Sequence, residues 1–147
     1  MSQRASGHPG AWRAIHHYVP GEVVIAVVRN PHECAKPTDK ARPVVLVAST
    51  EPAASGWLVA GLTTKARYKT SGAARPRVFA TPVNGLYGIS FLWGESLTWI
   101  PAEDLRRPIG MVDVAMAETI IANCKLTVPQ IDGLRRAAVP FNWGEAA

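Results

Sequence analysis

Five residues of this sequence have the chemistry to act on a phosphodiester: Arg42, Thr63, Thr64, Lys65 and Glu95. Each falls at the end of an apolar run. An arginine can neutralise phosphoryl oxygens as charge builds on them, and a hydroxyl can hold or polarise the phosphate. A carboxylate can take the proton of an RNA 2′-hydroxyl. That 2′-hydroxyl is itself the nucleophile, so such a set needs no activated water. Each residue also has a plainer reading. Arg42 fits a strand start with its head in solvent, the threonines fit β-propensity, and Glu95 fits a charged turn.

The surroundings favour a polyanion. The chain carries a formal net charge of +5. Within it, residues 65–77 hold Lys65, Arg67, Lys69, Arg75 and Arg77 without one acid, whereas residues 111–147 are slightly acidic. The positive field is therefore concentrated mid-chain, although a solvated basic loop has the same composition. Tyr68 lies inside that loop. Of the 5 tryptophans, Trp93 and Trp99 flank the Glu95 turn, with Tyr87 and Phe91 before them. Buried aromatics fill a core; exposed ones beside a basic loop stack unpaired bases. Lys65, Arg67, Tyr68, Lys69, Arg75, Arg77 and Trp93 are the candidate RNA contacts.

Positioning these residues requires strands. Pro20-Gly21-Glu22 marks a turn before a strand over 23–29, and Asn30-Pro31 breaks it. The polar loop 32–41 follows, readable as a lid or as an ordinary connection. Two apolar runs, 43–49 and 57–63, then predict neighbouring core strands joined by a turn-prone linker. In the second, Leu58, Ala60, Leu62 and Thr64 share one face while Trp57, Val59, Gly61 and Thr63 share the other. Apolar residues on both faces suit the centre of a curled sheet. A short strand is expected over 77–81, and Asn84-Gly85 is a turn signal. Residues 86–100 read as two short strands hinged near Gly94-Glu95. Pro101 is expected to end the strand region, with one helical turn over 102–106.

After Gly110 the period changes to that of a helix. Val114, Ala117, Ile121 and Cys124 form an apolar stripe widened by Met116 and Ile120, with Asp113 as N-cap. A second helix begins at Thr127, with Gln130 in the reciprocal capping position, and ends before Pro140. The predicted fold class is mainly β with C-terminal helices, a small curled β-barrel. At 147 residues and 48% hydrophobic content the chain is one domain. Its expected limits are 20–138, with a flexible arm over 1–19 and a tail over 139–147.

Several function classes are disfavoured. There is no glycine-rich phosphate loop, nucleophile elbow, CxxC pair or HExxH helix, so no cofactor is expected. His8, His16, His17 and His32 have no zinc-ligand spacing, and no metal is expected. No apolar run is long enough for a membrane span. Cys34 and Cys124 are read as free thiols, with a disulfide as the alternative.

In order and local pattern the chain resembles the MazF/PemK (Kid-like) endoribonuclease toxins of toxin–antitoxin pairs. The resemblance rests on Gly21-Glu22 with the strand after it, Lys40-Ala41-Arg42-Pro43 with residues 44–49, and Leu62-Thr63 with Thr64 adjacent. It continues through residues 95–100 and ends on Leu105, Ile109-Gly110 and the helix from Asp113, covering about residues 20–123. Glu22 stands where that family has an aspartate, and Trp93 replaces a basic residue of some members. The resemblance implies an SH3-like barrel, a homodimer and a cytoplasmic location. It further implies metal-independent cleavage of single-stranded RNA and inhibition by a small acidic antitoxin. Arg42 and Thr63 match the family's catalytic arginine and threonine, and Glu95 sits where it often has an aspartate. Two alternatives remain open: a non-catalytic nucleic-acid- or protein-binding relative, and a purely structural barrel.

Overall fold

The computed structural model describes residues 16–28, 40–50, 55–64 and 75–141. The basic-loop residues Lys65, Arg67, Tyr68 and Lys69 lie outside these, as do Cys34, Trp12, Trp143 and most of the 1–19 stretch.

Strands β1 (Glu22–Val28), β2 (Lys40–Ser49) and β3 (Gly56–Thr63) form the antiparallel centre of the sheet. Strands β4 (Arg77–Val78), β5 (Ser90–Leu92), β6 (Thr98–Pro101) and β7 (Leu105–Met111) complete it, in the order β4-β5-β3-β2-β1-β7 with β6 also on β3. β5 takes the end of β3 through Leu62 and Thr63, while β6 takes its start through Gly56 to Val59. Two strands therefore share one edge of β3.

The sheet has to curl. β6 and β7 lie at opposite edges of the set β6-β3-β2-β1-β7, four inter-strand steps or about 19 Å apart if the sheet were flat. Only Ala102–Asp104 separates them, as a 3₁₀ turn, and such a turn of three residues advances about 6 Å. Bending the sheet into a half-barrel is how so short a link can join its edges. The inner face then packs on itself: Val24, Ala26, Val44, Leu46, Trp57, Val59, Ile100 and Leu105 form one buried cluster. The alternate residues Val23, Val45, Val47, Ala60 and Leu62 point the other way, beneath the helices. This accounts for β3 being apolar on both faces.

Helices α1 (Val114–Asn123) and α2 (Val128–Ala137) cover that outer face, contributing Met116, Ala117, Ile120 and Leu134 to the core. α2 opens with a complete capping box between Thr127 and Gln130. Past its end, Val139 donates to the Val112 carbonyl and accepts from the Val114 amide, which fixes α2 against the start of α1. Asp113 caps α1 and anchors a buried polar network. Its Oδ1 accepts from the Met116 amide at 2.8 Å, and its Oδ2 accepts from Thr81 Oγ1 and Asn84 Nδ2, both at 2.9 Å. Asn84 Oδ1 in turn accepts from the Thr81 and Leu86 amides. This network joins the β4–β5 connection to the helix. Gly85 sits there at φ +72, where a Cβ would strike the Ile109 carbonyl.

Some expectations need correction. Pro101 does not end the strand region, because β7 follows and pairs with β1 along its length. Its Arg106-Arg107-Pro108 core and its register shifts against Val23, Val24 and Ala26 erase the alternation that reveals a strand. The expected strand over 77–81 is only Arg77–Val78, since Thr81 turns into the Asn84 network. Residues 86–89 precede β5 and belong to no strand. Val114 is exposed, so the buried stripe of α1 centres on Met116, Ala117 and Ile120. At the amino-terminal side, His16 to Val19 are held by the barrel. His16 Nε2 lies 2.7 Å from Glu22 Oε2, the Val19 amide donates to Glu22 Oε1, and the Tyr18 hydroxyl donates to the Arg106 carbonyl.

Replacing Asp113 with alanine removes a helix cap and strands two buried donors, so Asp113→Ala should destabilise the fold by about 2–4 kcal/mol. Urea unfolding measures this directly. Glu118→Ala, which breaks the exposed Arg135–Glu118 pair at 2.9 Å, should shift the midpoint far less.

Candidate functional site

β2 and β3 deliver their polar ends to the same place. Arg42 alternates with Val44 and Leu46, so it belongs to the inner face and pairs across to Ala26 on β1. Thr63 follows Gly61, Val59 and Trp57 on that face and pairs with Phe91 on β5. The inner core ends at these positions, leaving a cleft of about 230 Å³ at the open end of the half-barrel. Its lining is Ala41, Arg42, Pro43, Leu62, Thr63, Thr64 and Ser90. A cation and three hydroxyl-bearing residues thus line one cleft at the strand ends, together with Ala41, Pro43 and Leu62.

Their settings differ. Thr63 is only 7% exposed, so the sheet fixes it, whereas Thr64 is exposed just past the strand end. Arg42 is half-buried, and its head is not free in solvent: Cζ lies over the Trp93 ring, 4.4 Å from the centroid. Arg75 lies over the same ring at 5.3 Å. Arg77 is exposed, with Cζ 5.9 Å from the Phe79 centroid. Of the expected RNA contacts that are described, Trp93 and Arg75 therefore stand together with Arg42, and Arg77 stands on β4 beside Phe79.

Glu95 is placed elsewhere. It follows Trp93 by two residues in the β5–β6 turn, away from Phe91 and Thr63, and does not line the cleft. Its carbonyl accepts from the Lys125 amide at 2.8 Å, and its carboxylate is 3.6 Å from Lys125 Nζ. The end of α1 thus anchors this turn. The Glu95 side chain is 69% exposed, so the ion pair is weak and easily exchanged for water.

Ser90 was missed by sequence reasoning. It is buried at the first position of β5, its hydroxyl 3.5 Å from the Gly88 carbonyl. A lone serine after Gly88-Ile89 carries no chemical pattern; only the pairing of β5 with β3 brings it beside Leu62 and Thr63. The tryptophans also divide. Trp57 is core, Trp93 bears the arginines, and Trp99 is half exposed with its indole N–H donating to Thr50 Oγ1. Tyr87 is almost wholly exposed. Among the described residues, no group of three or more histidines, cysteines or acids is placed to hold a metal ion, and no helix is long and apolar enough to cross a membrane.

Cys124 provides an independent gauge of where Glu95 lies. Burial pushes its thiol pKa up and the nearby Glu95 carboxylate adds to the effect, because both disfavour the thiolate. A raised pKa means less thiolate near pH 8, so Cys124 should alkylate with iodoacetamide more slowly than free cysteine. Glu95→Gln should speed that reaction in a Cys34→Ser background, followed by mass spectrometry. An unchanged rate would place the carboxylate away from the end of α1.

Comparison with known proteins adds a structural likeness. No family profile matches the chain, and no curated protein does. Among solved structures it is similar to the Mycobacterium tuberculosis toxin MazF-mt6, at 26% sequence identity over 80% of this chain and 99% of that one, with a TM-score of 0.47.

Proposed function

We propose that the chain is a metal-independent endoribonuclease that cleaves single-stranded RNA through the 2′-hydroxyl. The observation that carries this reading is the convergence of Arg42, Thr63, Thr64 and Ser90 on one cleft at the open end of the half-barrel. The sequence resemblance to MazF/PemK toxins, strongest at Arg42-Pro43 and Leu62-Thr63, points the same way. In the reaction the 2′-oxygen bonds to phosphorus and the P–O5′ bond breaks, giving a 2′,3′-cyclic phosphate and a 5′-hydroxyl. The 2′-proton leaves to a base, and a proton is delivered to the departing 5′-oxygen. Arg42 would hold the phosphoryl oxygens as their charge grows, and Thr63 with Thr64 would orient the phosphate. Arg75, Arg77 and the basic loop with Lys65, Arg67, Tyr68 and Lys69 would guide the strand. On the same reading the partners are a second copy of the chain and a small acidic antitoxin, in the cytoplasm.

A second reading, a non-catalytic relative that binds RNA or protein, is favoured by one observation: Glu95, the candidate base, is absent from the cleft lining and paired with Lys125. One assay separates the two. The purified protein is incubated with mixed-sequence single-stranded RNA in the presence of EDTA, and the product ends are identified. Cyclic phosphate ends support the nuclease; binding without cleavage supports the second reading. For the nuclease, Arg42→Ala should lower cleavage at least about tenfold with the fold intact. Thr63→Val should lower it less, and Glu95→Gln least. Unchanged cleavage in Arg42→Ala would remove the arginine from the mechanism.

A further inference from the structure

Trp93 has an arrangement that neither core filling nor base stacking explains. Its amide donates to the Gly61 carbonyl at 2.8 Å, continuing the β5–β3 ladder one rung past Leu92↔Leu62. Strand alternation then puts Trp93 on the same inner face as Phe91, Thr63 and Gly61. Gly61 also pairs with Val44 on the other side, two residues from Arg42. Because Gly61 has no side chain, the rung between Trp93 and β2 is open. A Cβ at Gly61 would stand 3.5 Å from the Trp93 Cβ. Across this gap the indole meets the Arg42 guanidinium, 4.4 Å from its centroid, and Arg75 joins at 5.3 Å. Trp93 is thus the common contact of two arginines that arrive from separate parts of the chain.

We infer that Trp93 is a positioning residue: its ring holds the Arg42 guanidinium at the cleft and keeps Arg75 beside it, and the ring serves the protein's own cations before it serves a base. The inference rests on the phosphodiester reading of the cleft and deepens it. An arginine loses much rotamer freedom when its head is fixed. A guanidinium lying over an aromatic face meets that loss before the substrate arrives, as planar stacking favours arginine over lysine. A cation already in place needs little reorganisation when negative charge develops on the phosphate.

The test uses the full-length protein and the variants Trp93→Phe, Trp93→Leu and Trp93→Met. The Arg42 side-chain Nε–H signal is identified by its loss in Arg42→Lys, and its order is read from the 15N heteronuclear NOE. Arg42 Nε should be ordered in the wild type and in Trp93→Phe, which keeps an aromatic face, and mobile in Trp93→Leu. Should Trp93→Leu fail to fold, Trp93→Met fills the same apolar space without a ring and gives the same reading. Arg42 equally ordered without an aromatic ring, or mobile in the wild type, would overturn the inference. In the cleavage assay Trp93→Leu should cost about tenfold in kcat, Trp93→Phe little, and Trp93→Leu with Arg42→Ala no more than Arg42→Ala alone. Additive losses would mean that Trp93 acts independently of Arg42, as a base-stacking platform would, and would also overturn it. If the wild type cleaves no RNA, the nuclease reading falls while the order of Arg42 still decides the positioning role.

Discussion

Three residues between β6 and β7 constrain the rest of this molecule. Ala102–Asp104 links strands that hydrogen-bond at opposite edges of one sheet, so the sheet must bend until those edges approach. Bending separates the alternate residues of β1, β2 and β3 into two environments. One set packs against itself inside the half-barrel, and the other needs a cover. Both sets are apolar for that reason, and α1 and α2 supply the cover through Met116, Ala117, Ile120 and Leu134. Burial of side chains of this size contributes roughly 1.5–3 kcal/mol each, which opposes the entropy of fixing a strongly curved sheet.

The helices need a fixed starting point on the sheet, and Asp113 gives it. One carboxylate caps α1 through the Met116 amide and accepts from Thr81 and Asn84 in the connection leading to β5. A buried network of this kind is favourable only when each member is satisfied, and the Asn84 amide group also reaches the Phe79 carbonyl and the Leu86 amide. Gly85 and Gly110 make the close approach possible, since a Cβ at either would overlap backbone atoms of the facing segment. The position of β5, and so of Ser90 and Trp93 beside β3, depends on this joint.

At the open end of the half-barrel the two polar strand ends are held by different means. Thr63 is set by its pairing with Phe91 on β5. Arg42 is set by its strand and by an aromatic ring contributed from beyond β5. Glu95 answers to a third part of the fold, the end of α1, through Lys125. Arg42 and Thr63 are therefore held by the sheet and its aromatic contact, while the carboxylate belongs to an exposed turn. On the proposed phosphodiester reading, charge stabilisation by Arg42 would be the principal contribution and Glu95 would give the lesser one.

Periodicity and turn chemistry made most of the fold legible in the sequence. The apolar runs at β1, β2 and β3, the Asn84-Gly85 turn, the Asp113 cap and the Thr127–Gln130 capping box are local patterns, and local patterns survive without neighbours. β7 was not legible, because its arginines, its proline and its register shifts remove the alternation that marks a strand. Arg42 and Thr63 could be nominated from residue type at the ends of core strands. Ser90 could not, and neither could the contact of Arg75 and Arg42 with Trp93, since both depend on which strands become neighbours. The sequence by itself determined the two-faced apolar strands and the helix caps, through short-range sterics and the period of apolar residues. Only the tertiary structure decided which polar ends share a cleft and which stand apart, because pairing β5 and β6 with β3 and β7 with β1 are long-range choices made by burial.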